Sequence, residues 1–330
     1  MTARNDLLRL ALTLAVALGA PAIGHAMAAP STVYSPASTS IPSTAYGSER
    51  KVFALANTPG SIVVVYTTSA NELHWGYSND SGVTWTDGLI TAGPAHTFSA
   101  VLDPATNNLH VLYSTGAVGT ASDIGYAIGV YSAGPPDPSY SWTVDPTAIG
   151  PSSGSLLQFP SAVIATAGGV TCLHVVYGVK EDTGAAFSDV RWNYKILNTS
   201  TAGWHFPDPG HNLTMWTLAT TCQGACGPCP NTFDRNPGAI PSIIAAGNGA
   251  LYMTTWVGDK SDANFYMRRM EATGTSWDAA VPVPYAIFND GSFTAPCLTL
   301  NVPAGAVHTA MASPDGNTIA LVIPSGNAQN

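Results

Sequence analysis

Ser78-Asn79-Asp80-Ser81-Gly82-Val83-Thr84-Trp85 joins a tight turn to the start of a strand. An Asp in such a turn accepts hydrogen bonds from backbone N–H groups two residues on, which fixes the turn. Gly82 supplies a backbone conformation that a side chain would oppose. Thr84 and Trp85 are expected to open the next strand, with the indole buried between neighbouring sheets. Worn copies precede Trp142, Trp204 and Trp277, where Ser139-x-Ser141, Thr201-x-Gly203 and Gly274-x-Ser276 replace Gly82-x-Thr84. Asp137 keeps an acidic residue in the first of these copies.

Working outward from the tryptophans, three further elements recur in a fixed order. An apolar strand opens on Phe-Pro-Ser or a relative: Phe159-Pro160-Ser161-Ala162-Val163, Ile240-Pro241-Ser242-Ile243-Ile244, Phe98-Ser99-Ala100-Val101-Leu102 and Ala295-Pro296-Cys297-Leu298, with Val52-Phe53-Ala54-Leu55 as the earliest copy. After a turn comes a second strand, as in Leu109-His110-Val111-Leu112-Tyr113 and Leu173-His174-Val175-Val176-Tyr177. Ile62 to Tyr66, Leu251-Tyr252-Met253 and Val307-His308-Thr309 take the same place. Leu73-His74-Trp75, Ile124-Gly125-Tyr126, Val190-Arg191-Trp192 and Phe265-Tyr266-Met267 form the third strand, and the turn with its tryptophan leads into the fourth. Four strands per unit, repeated with variable loops, predict an all-β chain built as a β-propeller. Blades begin near Val52, Phe98, Phe159, Ile240 and Ala295, and the last ends with its third strand, Thr318 to Ile323. The β-prone segment Ser31 to Tyr46 is expected to supply the missing outer strand and close the ring, which also covers an exposed edge. Five blades are favoured over six.

The S-x-D-x-G-x-T-W run resembles the Asp-box (BNR) repeat of sialidase-like β-propellers. That resemblance implies a ligand site on the end of the propeller away from the Asp-box, around the central channel. Ser78, Asp80, Gly82, Thr84 and Trp85 are then structural. An active relative grips a substrate carboxylate with three arginines, uses a Tyr–Glu pair as nucleophile and an Asp as acid/base. Arg50 stands near the position of the family's first arginine, although the Arg-Ile-Pro element has become Arg50-Lys51-Val52. Arg191 and Arg268 fall on third strands, away from the axis, and Glu49, Glu72, Glu181 and Glu271 have no evident Tyr partner. Sialidase chemistry is therefore not the favoured expectation.

Residues 1–28 have the layout of a secretory signal peptide: Arg4 and Arg9, an apolar run from Leu10 to Ala20, and Ala26-Met27-Ala28 as a cleavage site. The propeller is expected over 29–330, with a cysteine-containing insertion at 205–237. Charged residues are 9% of the chain, against about 25% in soluble proteins, which suits many strands and turns better than helices. A net charge of −9 argues against nucleic acid or an anionic membrane as partner. Cys222, Cys226 and Cys229 have a spacing used by some iron–sulfur sites, but in an exported chain disulfides are preferred. With Cys172 and Cys297 the count is odd, so one thiol is left over.

Loops joining second to third strands, and fourth strands to the next blade, carry much of the sparse charge. Candidate ligand-binding residues are Arg50, His96, Gln158, Arg235 and Asp290 at the approaches to inner strands, and Asp182, Asp189, Asp259 and Asp262 on the loops. His110, His174 and His308 repeat at one strand position and are read as packing locally, so no metal or cofactor is expected. Trp75, Trp192 and Trp256 are read as core, while Trp216 and Phe233 lie in the insertion, where they stack on a sugar ring or cover the insertion itself. The expected function is recognition of a glycan or glycoconjugate by an exported, non-catalytic propeller. Two alternatives stand beside it: an exo-sialidase or other glycoside hydrolase, and a cell-surface scaffold for a protein partner.

Overall fold

In the computed structural model the described residues are 52–56, 58–68, 70–116, 122–133, 139–150, 156–180, 189–197, 203–205, 241–257, 264–270, 281–282, 309–313 and 318–322. Among them every regular element is a strand. The first sheet runs β1 (Val52–Ala54), β2 (Ile62–Thr67), β3 (Leu73–Ser78), β4 (Thr86–Thr91). The second is β5 (Phe98–Leu102), β6 (Leu109–Ser114), β7 (Ile124–Ser132), β8 (Ser139–Ile149). The third comprises β9 (Leu156–Ala167), β10 (Val170–Lys180), β11 (Asp189–Ile196) and β12 (Trp204–His205). The fourth comprises β13 (Ser242–Ala245), β14 (Leu251–Val257), β15 (Asn264–Met270) and β16 (Val281–Pro282). A two-stranded sheet follows, β17 (Thr309–Ala312) with β18 (Ile319–Val322). Within each sheet, strands pair antiparallel with their sequence neighbours.

Strand alternation sends one row of each sheet to the sheet before it and the other row to the sheet after it. Val63, Val65, Trp75 and Tyr77 of the first sheet meet Phe98, Ala100, Val111 and Tyr113 of the second in one core. Leu112, Ile124 and Tyr126 meet Leu157, Leu173 and Val175 in the next. Val163, Val176 and Trp192 meet Ile243, Leu251 and Met253 of the fourth sheet. Ile244 and Tyr252 then receive Ala312 and Ile319. Each fully buried Leu, Val or Phe in such a core contributes about 1.5–3 kcal/mol. Sheets packed in sequence order follow the four-stranded pattern expected from the repeats, and β17 and β18 coincide with the strands expected near Thr309 and over Thr318 to Ile323.

Serines of the Phe-Ser and Phe-Pro-Ser elements tie the inner strands together. Ser99 Oγ on β5 accepts the Ala162 N–H of β9 at 3.1 Å, and Ser161 Oγ on β9 accepts the Ile243 N–H of β13 at 3.1 Å. The first and second sheets are joined differently. Asn107, in a left-handed conformation that Asn tolerates, pairs its amide with both backbone groups of Ala56 at 2.9 Å.

Two expectations need correction. β4 begins at Thr86, one residue after the tryptophan. Among the described residues the Trp85 indole joins no core between sheets; it folds back on its own turn and donates to the Gly82 carbonyl at 3.1 Å. Its counterpart Trp142 does pack on the core between the first two sheets, because a sheet precedes it in the stack. Trp75 and Trp192 are core residues, as expected.

Candidate functional site

The Asp-box turn is tied off internally. Asp80 Oδ1 accepts the N–H groups of Val83 at 3.0 Å and Thr84 at 2.8 Å, three and four residues on rather than two. Its Oδ2 accepts the Thr84 hydroxyl at 2.6 Å, and the Ser78 hydroxyl donates to Oδ1 at 2.8 Å while accepting the Gly82 N–H. Gly82 has φ +89°, the conformation its place in the motif requires. These hydrogen bonds, the Thr84 hydroxyl foremost, pull the Asp80 carboxyl down to about 2. A carboxylate so fully ionised cannot serve as a general acid near neutral pH. Ser81 N–H reaches the Gly60 carbonyl at 2.8 Å, which puts the Asp-box beside the turn between first and second strands.

The other end of the sheets, where second strands finish and first strands begin, carries a different set of groups. Thr97, just before β5, donates from its N–H and hydroxyl to Ser114 Oγ at the end of β6, at 3.1 and 3.0 Å. Thr97 Oγ1 in turn accepts the Phe159 N–H of the third sheet at 3.1 Å. Thr115 and Asp123 close the loop between β6 and β7 with reciprocal 3.0 Å bonds, and Ser122 clasps Leu157 through a hydroxyl-to-carbonyl bond of 2.8 Å. This loop is thereby fastened to the first residues of β9.

β9 departs from regular pairing there. Ser161 lies opposite Val176, but Gln158 lies opposite Gly178, so Phe159 and Pro160 share a bulge. Phe159 takes φ +55°, a conformation that is a genuine outlier for a bulky side chain and costs on the order of 1–3 kcal/mol. Beside it, Gln158 is 0% exposed, and neither its Oε1 nor its Nε2 has a hydrogen-bond partner among the described residues. A buried amide in that state costs roughly 1–3 kcal/mol. Burial lowers the His96 imidazole and raises the Asp123 carboxyl, so both tend toward their neutral forms. Thr97, Ser114, Ser122 and Gln158 give this end of the described structure hydroxyl and amide groups able to hydrogen-bond without charge.

Of the sequence candidates, the structure brings Gln158 to this end and places His96 one residue before Thr97. Asp189 opens β11 opposite Val179. Arg50, Arg235, Asp290, Asp182, Asp259 and Asp262 lie outside the described residues, as do Trp216, Phe233, His308 and Cys222, Cys226, Cys229 and Cys297. Cys172 is a free, half-buried thiol raised by burial. Arg191 is buried on β11 opposite Tyr177, within the stack. His110 and His174 pack against aromatic rings, as expected. Thr97, Ser114 and Ser122 were not anticipated; their signal was a hydroxyl residue next to the end of three successive repeat elements.

No family model matches the chain, and no curated protein does. Among solved structures it is similar to a Penicillium chrysogenum alpha-L-arabinanase complexed with arabinobiose, at 14% identity over 91% of this chain and 83% of that one, TM-score 0.45. It is similar to the Aleuria aurantia lectin in complex with Fucalpha1-6GlcNAc, at 14% identity over 82% and 69%, TM-score 0.41. It is also similar to a Trypanosoma rangeli sialidase in complex with the inhibitor DANA, at 15% identity over 72% of this chain and 38% of that one, TM-score 0.40. At these identities and TM-scores the likenesses carry nothing about ligand or activity.

Proposed function

We propose that this protein is an exported five-bladed propeller that recognises a glycan, without catalysis, on the end opposite the Asp-box. The observation that carries the reading is Gln158: a sealed amide whose donor and acceptor find no partner among the described residues, next to a strained Phe159. Buried unsatisfied groups and backbone strain concentrate where a ligand is received. A carboxamide presents the paired donor and acceptor that adjacent sugar hydroxyls match. Ring closure is supported by apolar residues on the outward faces of the terminal sheets, Val52 and Leu89 on the first and Met311 on the last. The N-terminal segment 31–46 is the proposed closing strand.

A glycan array read with wild type, Arg50→Ala, Arg235→Ala and Gln158→Leu tests the site. Binding by wild type that is lost in Gln158→Leu and weakened in either arginine variant is the expected pattern. No binding by wild type, or equal binding by all proteins, overturns it; release of free sugar from a bound glycan would replace it with the hydrolase reading. A chain lacking residues 1–46 is expected to unfold more readily than one lacking only 1–28. Equal stability would remove the closing strand.

A further inference from the structure

His110 and His174 hold the same position in consecutive sheets. His110 pairs with Val101 on the inner strand and Ile128 on the third, and His174 pairs with Val163 and Tyr194 in the same way. Each is directed at the following sheet: His110 into the core between the second and third sheets, His174 into the core between the third and fourth. Both are at least nine-tenths buried, His110 at 3% and His174 at 9% exposure. Each is stacked on an aromatic ring of its own third strand, His110 on Tyr126 and His174 on Trp192. Thus the third sheet has a buried imidazole at both of its interfaces. We propose that the third sheet is an acid-released blade, clamped by neutral His110 and His174 and loosened when these imidazoles take a proton.

The chemistry of the clamp shows why a proton is not tolerated. Trp192 Nε1–H donates to His174 Nδ1 at 3.2 Å, so His174 is held with Nδ1 as acceptor and its proton on Nε2. Protonation adds a hydrogen at Nδ1 and sets two donors against each other. The indole, having no acceptor, cannot adjust. His110 Nδ1 sits 2.8 Å from the Tyr126 hydroxyl, which can rotate to accept, so there the objection is charge. Lys195 of the third sheet lies over the Tyr126 ring at 5.0 Å and repels an imidazolium in the same interface. Asp103 pulls the other way, but its carboxylate already serves the Ala105 N–H and the Thr106 hydroxyl. Asp145 acts on Lys195. Around His174 the titratable neighbours are Tyr194 and, stacked on it, His205; Arg268 is the register partner of Met253, a residue of that core. No carboxylate among the described residues is placed to compensate it. Burial accordingly holds both imidazoles down at about 4.

The test is hydrogen exchange on the whole protein at pH 7 and pH 5, corrected for intrinsic exchange, with Trp192 fluorescence in parallel. Each imidazole that titrates at its ordinary value of about 6.5 once released favours the open form about twentyfold more at pH 5 than at pH 7. Exchange across β10, β11 and β13 should accelerate by that order, reversibly. Trp192→Phe removes the opposing donor while keeping an aromatic ring, and should blunt the response at β13. His110→Gln should blunt it at the interface of the second and third sheets only. Equal corrected exchange at both pH values in wild type overturns the proposal. So does an undiminished acid response in a combined His110→Gln, His174→Gln protein; if that variant does not fold, the wild-type and Trp192→Phe comparison decides the matter.

Discussion

Replacing Ser161 with Ala removes one atom and one hydrogen bond between the third and fourth sheets. Both partners are out of solvent: Ser161 and Ile243 are each 2% exposed, and the bond between Ser161 Oγ and the Ile243 N–H is 3.1 Å long. The variant leaves that N–H with no acceptor in a place water does not reach. An orphaned buried donor costs about 1–3 kcal/mol, well above the few tenths expected from a surface change. The amide of Ile243 reports the event directly, because an opening free energy lowered by that amount speeds its exchange by roughly 5- to 150-fold. Global stability follows from urea unfolding, with Thr166→Ala as control, since the Thr166–Thr171 hydroxyl pair is exposed. Ser99→Ala acts on the preceding interface and should give a separate loss that adds to the first. A Ser161→Ala protein within 0.5 kcal/mol of wild type, with unchanged exchange at Ile243, would refute the reasoning.

Gly125→Ala should destabilise by about 1–3 kcal/mol, because the new Cβ would lie 2.5 Å from Cζ of the buried Tyr113 ring; adding Tyr113→Leu should recover most of the loss in thermal unfolding. Asp80→Asn should unfold more readily at neutral pH, since an amide cannot accept all the bonds the carboxylate does. The folded carboxyl lies near 2 against an ordinary 3.8, so its stabilisation is complete above 3.8 and is lost as pH falls through 2. The gap between wild type and Asp80→Asn should therefore narrow over that window in acid titrations. Gln158→Leu should raise stability by about 1–2 kcal/mol while abolishing glycan binding, which urea unfolding and the array read separately.

The four-stranded sheets were legible because their signal is periodic: Phe98-Ser99 and Phe159-Pro160-Ser161 announce first strands, and Leu109-His110 and Leu173-His174 the strands after them. His110 and His174, two of the histidines at one repeat position, pack against rings of their own sheets, as that position suggests. Less was legible at the ends of the strands. Gln158 was placed on the approach to an inner strand, yet it lies within β9, because the bulge at Phe159 extends pairing past the Pro-Ser signal. A bulge is set by the partner strand and by Thr97 from another sheet, neither of which local sequence reveals. Trp85 misled for a related reason: the motif specifies its turn, whereas burial of the indole depends on which sheet stands before it.

The serine bonds between inner strands also act as a ruler. Each fixes one inner strand against the next by a single backbone N–H, one residue past the following sheet's own serine, at Ala162 and at Ile243. Position is thus re-set at the third sheet and again at the fourth, and no error accumulates from one to the next. Everything between His205 and Ser242 can intervene without shifting the rows of the fourth sheet against the third. Loops can lengthen and diverge, and the stack still counts from its innermost strand.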